Sequence, residues 1–291
     1  MTLKEIRDIF NSRLSYLYPA EELQSIFSLL TETWLGYSRF EASLNLTADI
    51  EPSVKNKFLN AISGLETFTP VQYIMGETEF CGLKFSVDSN TLIPRPETEE
   101  LVSWISTSVK QAITEGQFTP DSIKILDIGT GSGCIAVSLA KEFPAAEVSA
   151  VDVSKEALKI AEYNAGQQDV NVEFIEMDIL KTSKLPGRYQ LIVSNPPYVR
   201  QVEKSQMSSN VLDHEPGMAL FVSDEDPLLF YRNISKLAAV YLAPGGMVFF
   251  EINEYLGEDM KRLLSAKDFK QIELKQDFRG KDRMIRAIKH E

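Results

Sequence analysis

The sequence predicts an α/β fold: a Rossmann-like, largely parallel sheet of seven strands with an antiparallel terminal hairpin, preceded by an N-terminal helical bundle. Three observations carry this. Apolar residues in the first 70 or so positions recur at helical spacing, and from Ser122 onward short apolar runs alternate with helical segments. The last two apolar runs lie too close together for a crossover helix between them.

The helical part comes first. Leu3, Ile6, Phe10, Leu14 and Leu17 fall on one helical face. A second helix follows Pro19, carries Leu23, Ile26, Phe27 and Leu30 inward, and fades around Gly36. A third follows Pro52, with Val54, Phe58, Leu59 and Ile62 as its stripe. Three stripes make a marginal core, so this bundle should lean on something larger. Between Glu79 and Val87 the period changes to that of short strands, with Cys81-Gly82 as a turn. Pro94 and Pro96 then stiffen the chain around Arg95, and a helix begins near Glu97 that buries Leu101, Val102, Ile105 and Val109.

The sheet follows. Ile123–Leu126, Glu147–Val151, Val172–Ile175, Leu191–Ser194 and Gly246–Ile252 read as strands, with helices over Cys134–Lys141 and Lys155–Asn164. Such alternation requires parallel strands with right-handed crossovers. Gln271–Lys275 and Met284–Ile288, joined through Asp277-Phe278-Arg279-Gly280, should form the antiparallel edge hairpin. The expected boundaries are a helical module over 1–75, a β-hairpin linker over 76–95 and the sheet domain over 96–291.

Composition excludes several classes. Two cysteines, Cys81 and Cys134, make no disulfide framework, and two histidines leave a zinc site short of ligands; a carboxylate-only Mg²⁺ site stays open, though no metal site is expected. The chain carries 30 basic and 42 acidic residues, a net charge of −12, which disfavours a duplex-DNA binder. Met260–Glu291 runs the other way, with ten basic and five acidic residues. That edge could touch RNA or an acidic partner, or be a solvated helix and hairpin. The charged, amphipathic N-terminus does not read as a secretory signal, and no apolar run approaches the roughly 20 residues of a membrane span. A cytoplasmic protein is expected.

Two motifs carry chemistry. Asp127–Gly133, DIGTGSG, lies between a strand and a helix. Gly129 and Gly131 let the backbone turn tightly against a ligand, and Gly133 permits close helix–sheet contact. Thr130 and Ser132 complete the turn. Asp152, at the end of the next strand, can accept from both hydroxyls of a ribose. The spacing is GxGxG rather than GxGxxG, and Asp127 suits a cationic amino-acid moiety better than a pyrophosphate. S-adenosyl-L-methionine has that moiety. Asp178 and Ile179, after the third strand, should lie near its adenine, Asp178 accepting from the exocyclic amine and Ile179 packing on the ring.

Asn195-Pro196-Pro197-Tyr198 follows the fourth strand. The Asn195 side-chain carbonyl and the Pro196 backbone carbonyl can each accept a hydrogen from a planar NH₂ group, which turns the nitrogen lone pair toward an electrophilic methyl. Tyr198 offers a flat ring to the substrate. An amide or aromatic amine is a poor nucleophile, so such a site works by alignment and charge acceptance rather than by a strong base.

With both motifs placed, the whole chain resembles the bacterial release factor glutamine methyltransferases. The resemblance rests on Gln72-Tyr73 within Pro70–Gly76, on Glu79-Phe80, and on Ile93-Pro94-Arg95-Pro96-Glu97-Thr98-Glu99. It continues through DIGTGSGCIAVSLA, NPPYV, Glu215-Pro216 with Ala219-Leu220, and the terminal Asp277, Gly280 and Arg283. It implies a class I S-adenosylmethionine-dependent methyltransferase acting on the glutamine of the Gly-Gly-Gln motif of peptide-chain release factors, with S-adenosyl-L-homocysteine as product. It places the cofactor on Gly129–Gly133, Asp152, position 179 and Asn195, and the substrate glutamine on Asn195–Tyr198. Members often have an aromatic residue where this sequence has Ile179. Arg95 and Glu97 line the cleft in the family and could position substrate or cofactor; Glu97 and Glu99 could equally serve the first turn of a helix. The helical module becomes a release-factor docking domain, the enzyme is expected to be a monomer without stable DNA binding, and 199–214, with little periodicity, reads as a mobile cover or substrate-contact loop. Two other readings stay open at this point: an adenine-N6 methyltransferase of DNA or RNA, because NPPY is shared with those enzymes, and a non-catalytic cofactor-binding scaffold.

Overall fold

The computed structural model describes residues 1–207 and 209–290, and the chain divides into two units. The smaller holds Met1–Glu77 with 209–214; the larger holds Thr78–Met207 and 215–290.

In the smaller unit, α1 (Leu3–Leu14) starts where Thr2 and Glu5 satisfy each other's amides in a capping box. α2 (Ala20–Leu35) follows Pro19 and is closed by Gly36 at φ +68°. Then come α3 (Arg39–Leu44), α4 (Pro52–Glu66) and α5 (Val71–Met75). The predicted stripes meet: Leu3, Ile6, Phe10 and Leu14 pack with Leu23, Ile26, Phe27, Leu30, Phe58 and Ile62. The Phe27 ring lies 5.3 Å from Phe10 and 5.8 Å from Phe58. Leu17, Val54 and Leu59 are only partly buried. The sequence reading missed α3 and α5, because six and five residues are too few to display a helical period.

The division falls after the first residue of β1 (Glu77–Phe80), and the larger unit continues with β2 (Leu83–Ser86). Cys81 and Gly82 take φ +50° and +72°, the positive pair a two-residue hairpin turn requires. Phe80 and Phe85 are buried in the core that α6 (Pro96–Thr114) lays over the sheet, and Ser86 N donates to Asn164 Oδ1 at 2.7 Å. Expected as a linker, the hairpin packs as part of this unit. The chain continues as β3 (Lys124–Ile128), α7 (Cys134–Glu142), β4 (Glu147–Asp152), α8 (Lys155–Gln167), β5 (Glu173–Glu176), β6 (Tyr189–Ser194) and β7 (Val199–Arg200). After a 3₁₀ turn at Gln201–Gln206 comes α9 (Ser209–His214), which belongs to the smaller unit, where His214 Nε2 lies 2.8 Å from Thr67 O. Last are α10 (Gly217–Leu220), β8 (Phe221–Val222), α11 (Leu229–Tyr241), β9 (Leu242–Glu251), α12 (Gly257–Ser265), β10 (Phe269–Gln276) and β11 (Asp282–Lys289). Where the sequence of 199–214 shows little periodicity, its described residues carry these short elements, and Ser208 lies outside them.

The seven-stranded sheet runs β10-β11-β9-β6-β3-β4-β5, parallel from β9 to β5 and antiparallel at both pairings of β11. The pleat sorts its side chains. Ile125, Val148, Leu191, Val193 and Phe249 face α6 and α7; Leu126, Ile128, Ile192, Val248 and Phe250 face α11 and α12. Both faces are covered, which is why the strands read as apolar runs rather than alternating ones. Four basic residues of the C-terminal edge stand in ion pairs: Arg279 with Glu97, Lys281 with Glu254, Arg283 with Asp277 and Arg286 with Glu273.

Candidate active site

Strand register gathers the site. Ile128 of β3 stands opposite Val151 of β4 and Ser194 of β6, and Ser194 opposite Phe250 of β9. Ser194 Oγ donates to Ile128 O at 2.6 Å, tying β6 to β3 where both strands end. The Gly-rich turn and the Asn195–Tyr198 loop therefore leave adjacent strands at the carboxyl edge of the sheet, where ligands bind in such folds.

The first loop is built from backbone. Gly129 N and Thr130 N donate to Val151 O at 2.8 and 3.1 Å, and Gly131 N donates to Asp152 Oδ2 at 2.9 Å. Gly129, Gly131 and Gly133 all have positive φ, at +76°, +54° and +82°. A Cβ on Gly129 or Gly131 would meet nothing within 4 Å, so both stand beside open space, a cradle for a ligand. Gly133 differs. Its Cβ would lie 3.0 Å from Ala161 Cβ, so it permits close approach of α7 to α8, not the helix–sheet contact expected from the motif.

Two carboxylates flank this cradle. Asp152, half-buried, also accepts from Ser154 N at 2.9 Å through Oδ1, so each of its oxygens is aimed by one backbone amide and keeps a lone pair for a hydroxyl. Asp127 is fully buried; its Oδ2 accepts from Thr130 Oγ1 at 2.6 Å while its Oδ1 has no hydrogen-bond partner. Burial raises its carboxyl to about 7, against the pull of Thr130 and the Ala136 amide at the start of α7. An unpartnered buried carboxylate oxygen fits an ammonium group, so these residues fit the amino-acid end of S-adenosyl-L-methionine. Ser132 Oγ is likewise buried and unpartnered.

The second loop is held by side chains from other elements. Asn195 Nδ2 donates to Thr98 Oγ1 at 3.2 Å, and Thr98 Oγ1 donates to Glu251 Oε2 at 2.6 Å. Tyr198 OH donates to Glu251 Oε1 at 2.9 Å, and Asn253 Nδ2 donates to Tyr198 O at 3.2 Å. Pro196 is buried, Asn195, Pro197 and Tyr198 half-buried. Burial raises the Glu251 carboxyl above its usual range, opposed by the two hydroxyls and the Arg283 charge; burial and the Glu251 charge raise the Tyr198 phenol. Tyr198 packs, half-buried, against the α11–α12 face of the core.

The remaining candidates lie apart from these bonds. Arg95 Nη2 pairs with Glu215 Oε1 at 2.6 Å, and the Glu215 side chain is only 1% exposed, so the Arg95 charge already has a buried partner. Glu97 lies 3.6 Å from Arg279 Nε in the terminal hairpin turn. Asp178 accepts from Leu180 N at 3.0 Å and pairs with Lys181 at 2.8 Å, which holds its carboxyl below the usual range. Ile179 is buried in the same core as Ile128 and Val151. The sequence reading gave no role to Thr98, Glu251 or Asn253, or to the Arg95–Glu215 pair. One signal was available: Glu251 is a lone acid in the apolar run Met247–Ile252, and a buried acid needs partners. Among the described residues no three His, Cys, Asp or Glu are placed to hold a metal ion, and no helix is long and apolar enough to cross a membrane.

A mostly parallel sheet with an antiparallel terminal hairpin, a Gly-rich turn beside an acid-ended second strand, and NPPY at the end of the fourth define a class I methyltransferase. The family model "Methyltransferase small domain" matches residues 112–216. The release factor glutamine methyltransferase of Flavobacterium psychrophilum is 45% identical, covering 99% of this chain and 99% of its own. That of Bacteroides thetaiotaomicron is 42% identical over 98% of this chain and 99% of its own. This chain belongs to the release factor glutamine methyltransferase family. Among solved structures, the catalytic domain of hMettl16 in complex with MAT2A 3′UTR hairpin 6 aligns with a TM-score of 0.53 and 15% identity, over 82% of both chains, a likeness of fold.

Proposed function

We propose that this chain transfers the methyl group of S-adenosyl-L-methionine to the side-chain amide nitrogen (N5) of the glutamine in the Gly-Gly-Gln motif of peptide-chain release factors. The co-substrate supplies an electrophilic methyl on a sulfonium sulfur. In the transfer an N–C bond forms, the C–S bond breaks to leave S-adenosyl-L-homocysteine, and the amide nitrogen releases one proton to water.

The observation that carries this reading is the commitment of Asn195 Nδ2 to Thr98. It leaves Asn195 Oδ1 as the atom offered to a substrate NH₂, beside the Pro196 carbonyl. Two acceptors fix the amide plane and turn the nitrogen lone pair out of it, and they take up the positive charge that grows on the N–H groups during transfer. The Tyr198 ring lies against the planar amide. At the other loop, the Gly129–Gly133 backbone with Thr130 and Ser132 cradles the amino-acid end, Asp127 takes the ammonium, Asp152 the ribose hydroxyls, and Asp178 and Ile179 the adenine. Arg95, keyed to Glu215, and Glu97 border the cleft and position the substrate.

The smaller unit docks the release factor, and the enzyme acts as a cytoplasmic monomer. Its net charge of −12 argues against stable DNA binding. The test is methyl transfer from labelled S-adenosyl-L-methionine to unmodified full-length release factors, to a short Gly-Gly-Gln peptide, and to DNA and RNA. Release factors should be labelled, the peptide much less efficiently, nucleic acid not at all. Labelled nucleic acid with unlabelled release factors would overturn the substrate, and equal kcat/KM for peptide and full-length factor would remove the docking role.

A further inference from the structure

The bonds behind the Asn195–Tyr198 loop have a direction. We infer that Glu251 and Thr98 are positioning residues that set which end of the Asn195 amide faces the substrate, an inference that rests on the function proposed above.

A carboxylate only accepts hydrogen bonds. Glu251, 1% exposed at the last position of β9, receives one hydroxyl hydrogen on each oxygen: Thr98 at 2.6 Å and Tyr198 at 2.9 Å. Its backbone carbonyl receives a third, from Tyr231 OH at 3.0 Å, which fixes the strand end. Because Thr98 gives its only hydrogen to Glu251, its oxygen presents lone pairs alone to Asn195. Asn195 must then meet it with the NH₂ end, as the 3.2 Å Nδ2 contact records. The amide has two ends, so this choice decides the other: Oδ1 is left for the substrate. Reversed, Asn195 would offer NH₂ to a substrate NH₂, two donors face to face. Glu251 fixes Tyr198 in the same way, by its hydroxyl. One buried acid thus orients both polar side chains of the loop without touching the reacting atoms.

A structural prop would tolerate any group of the same size; a relay of polarity would not. Thr98→Val keeps the shape and removes the hydroxyl, Thr98→Ser keeps the hydroxyl, and Glu251→Gln keeps the shape but adds a donor that can reverse the chain. Single-turnover methyl transfer to a full-length release factor should fall about tenfold or more in Thr98→Val and Glu251→Gln. Thr98→Ser should stay within about threefold of wild type, and S-adenosyl-L-homocysteine affinity by calorimetry within about twofold in all three. In an Asn195→Ala background, Thr98→Val should cause no further loss, because the relay has nothing left to orient. If Glu251→Gln does not fold, Thr98→Val and the double variant decide. Wild-type rates in Thr98→Val, or a further tenfold loss on top of Asn195→Ala, would overturn the relay. A wild-type protein that binds S-adenosyl-L-homocysteine yet leaves release factors unlabelled would overturn the proposed function, and the relay with it.

Discussion

The two loops at the carboxyl edge of the sheet are held in opposite ways. The Gly-rich turn is fixed by its own backbone: left-handed glycines and amides that donate to Val151 O and Asp152, the end of the very next strand. The Asn195–Tyr198 loop is fixed by side chains far away in sequence, Thr98 on α6 and Glu251 on β9. The first needs a backbone shape that few residues can adopt. The second needs a hydrogen-bond polarity that only particular side chains supply. One loop should therefore fail through conformation, the other through chemistry.

The largest expected effect tests the chemical loop. Asn195→Ala should lower single-turnover transfer about 100-fold or more, roughly 2.7 kcal/mol of barrier, with far less change in release-factor affinity. Equal losses in rate and binding would make Asn195 a binding contact and blur the contrast. Next, the backbone loop is broken by a methyl group. Gly133→Ala combines a left-handed backbone with a Cβ 3.0 Å from Ala161, and should destabilise by about 2–3 kcal/mol in urea unfolding. Gly131→Ala meets no protein atom, so its stability loss should be smaller and its cofactor affinity should suffer more. The reverse ranking would mean that the cradle is a packing device.

Asp152→Ala sits between the two loops in kind, a side chain that organises backbone. It should weaken S-adenosyl-L-methionine and S-adenosyl-L-homocysteine alike, by roughly 1.5–3 kcal/mol. Unchanged affinity for both would remove Asp152 from the site. The smallest effect concerns Asp127. Its carboxyl is raised to about 7 in the folded protein by burial, so the folded protein holds a proton that the unfolded chain has lost above pH ~4. Stability therefore falls as pH rises from that value toward 7, and the full penalty is present above it. Asp127→Asn should raise the unfolding midpoint at about pH 8 in the absence of ligand, and raise it less at about pH 5. The same ionisation favours an ammonium, so wild-type cofactor affinity should rise about tenfold between about pH 5.5 and about pH 7, and that rise should vanish in Asp127→Asn.

The contrast between the loops also explains what could be read in advance. The Gly-rich turn, the acid ending the next strand and the terminal hairpin are local in sequence, and the strands buried on both faces stood out as apolar runs. Short helices such as Val71–Met75 have no period to display. The role of Gly133 was misassigned because a motif tells that two elements approach but not which two; here they are α7 and α8. NPPY was legible, whereas its support was not: Thr98 and Asn195 are 97 positions apart, and only the sheet brings them within 3.2 Å. The partner of Arg95 is equally remote: Glu215 lies 120 positions later.

Site-resolved tandem mass spectrometry of a release factor, recovered after reaction with wild-type protein or Asn195→Ala, tests the central claim most directly. The account predicts one added methyl on the side-chain nitrogen of the Gly-Gly-Gln glutamine with wild type, and little or none in the same time with Asn195→Ala. Methyl found on another residue, or equal methylation of that glutamine by both proteins, would contradict it.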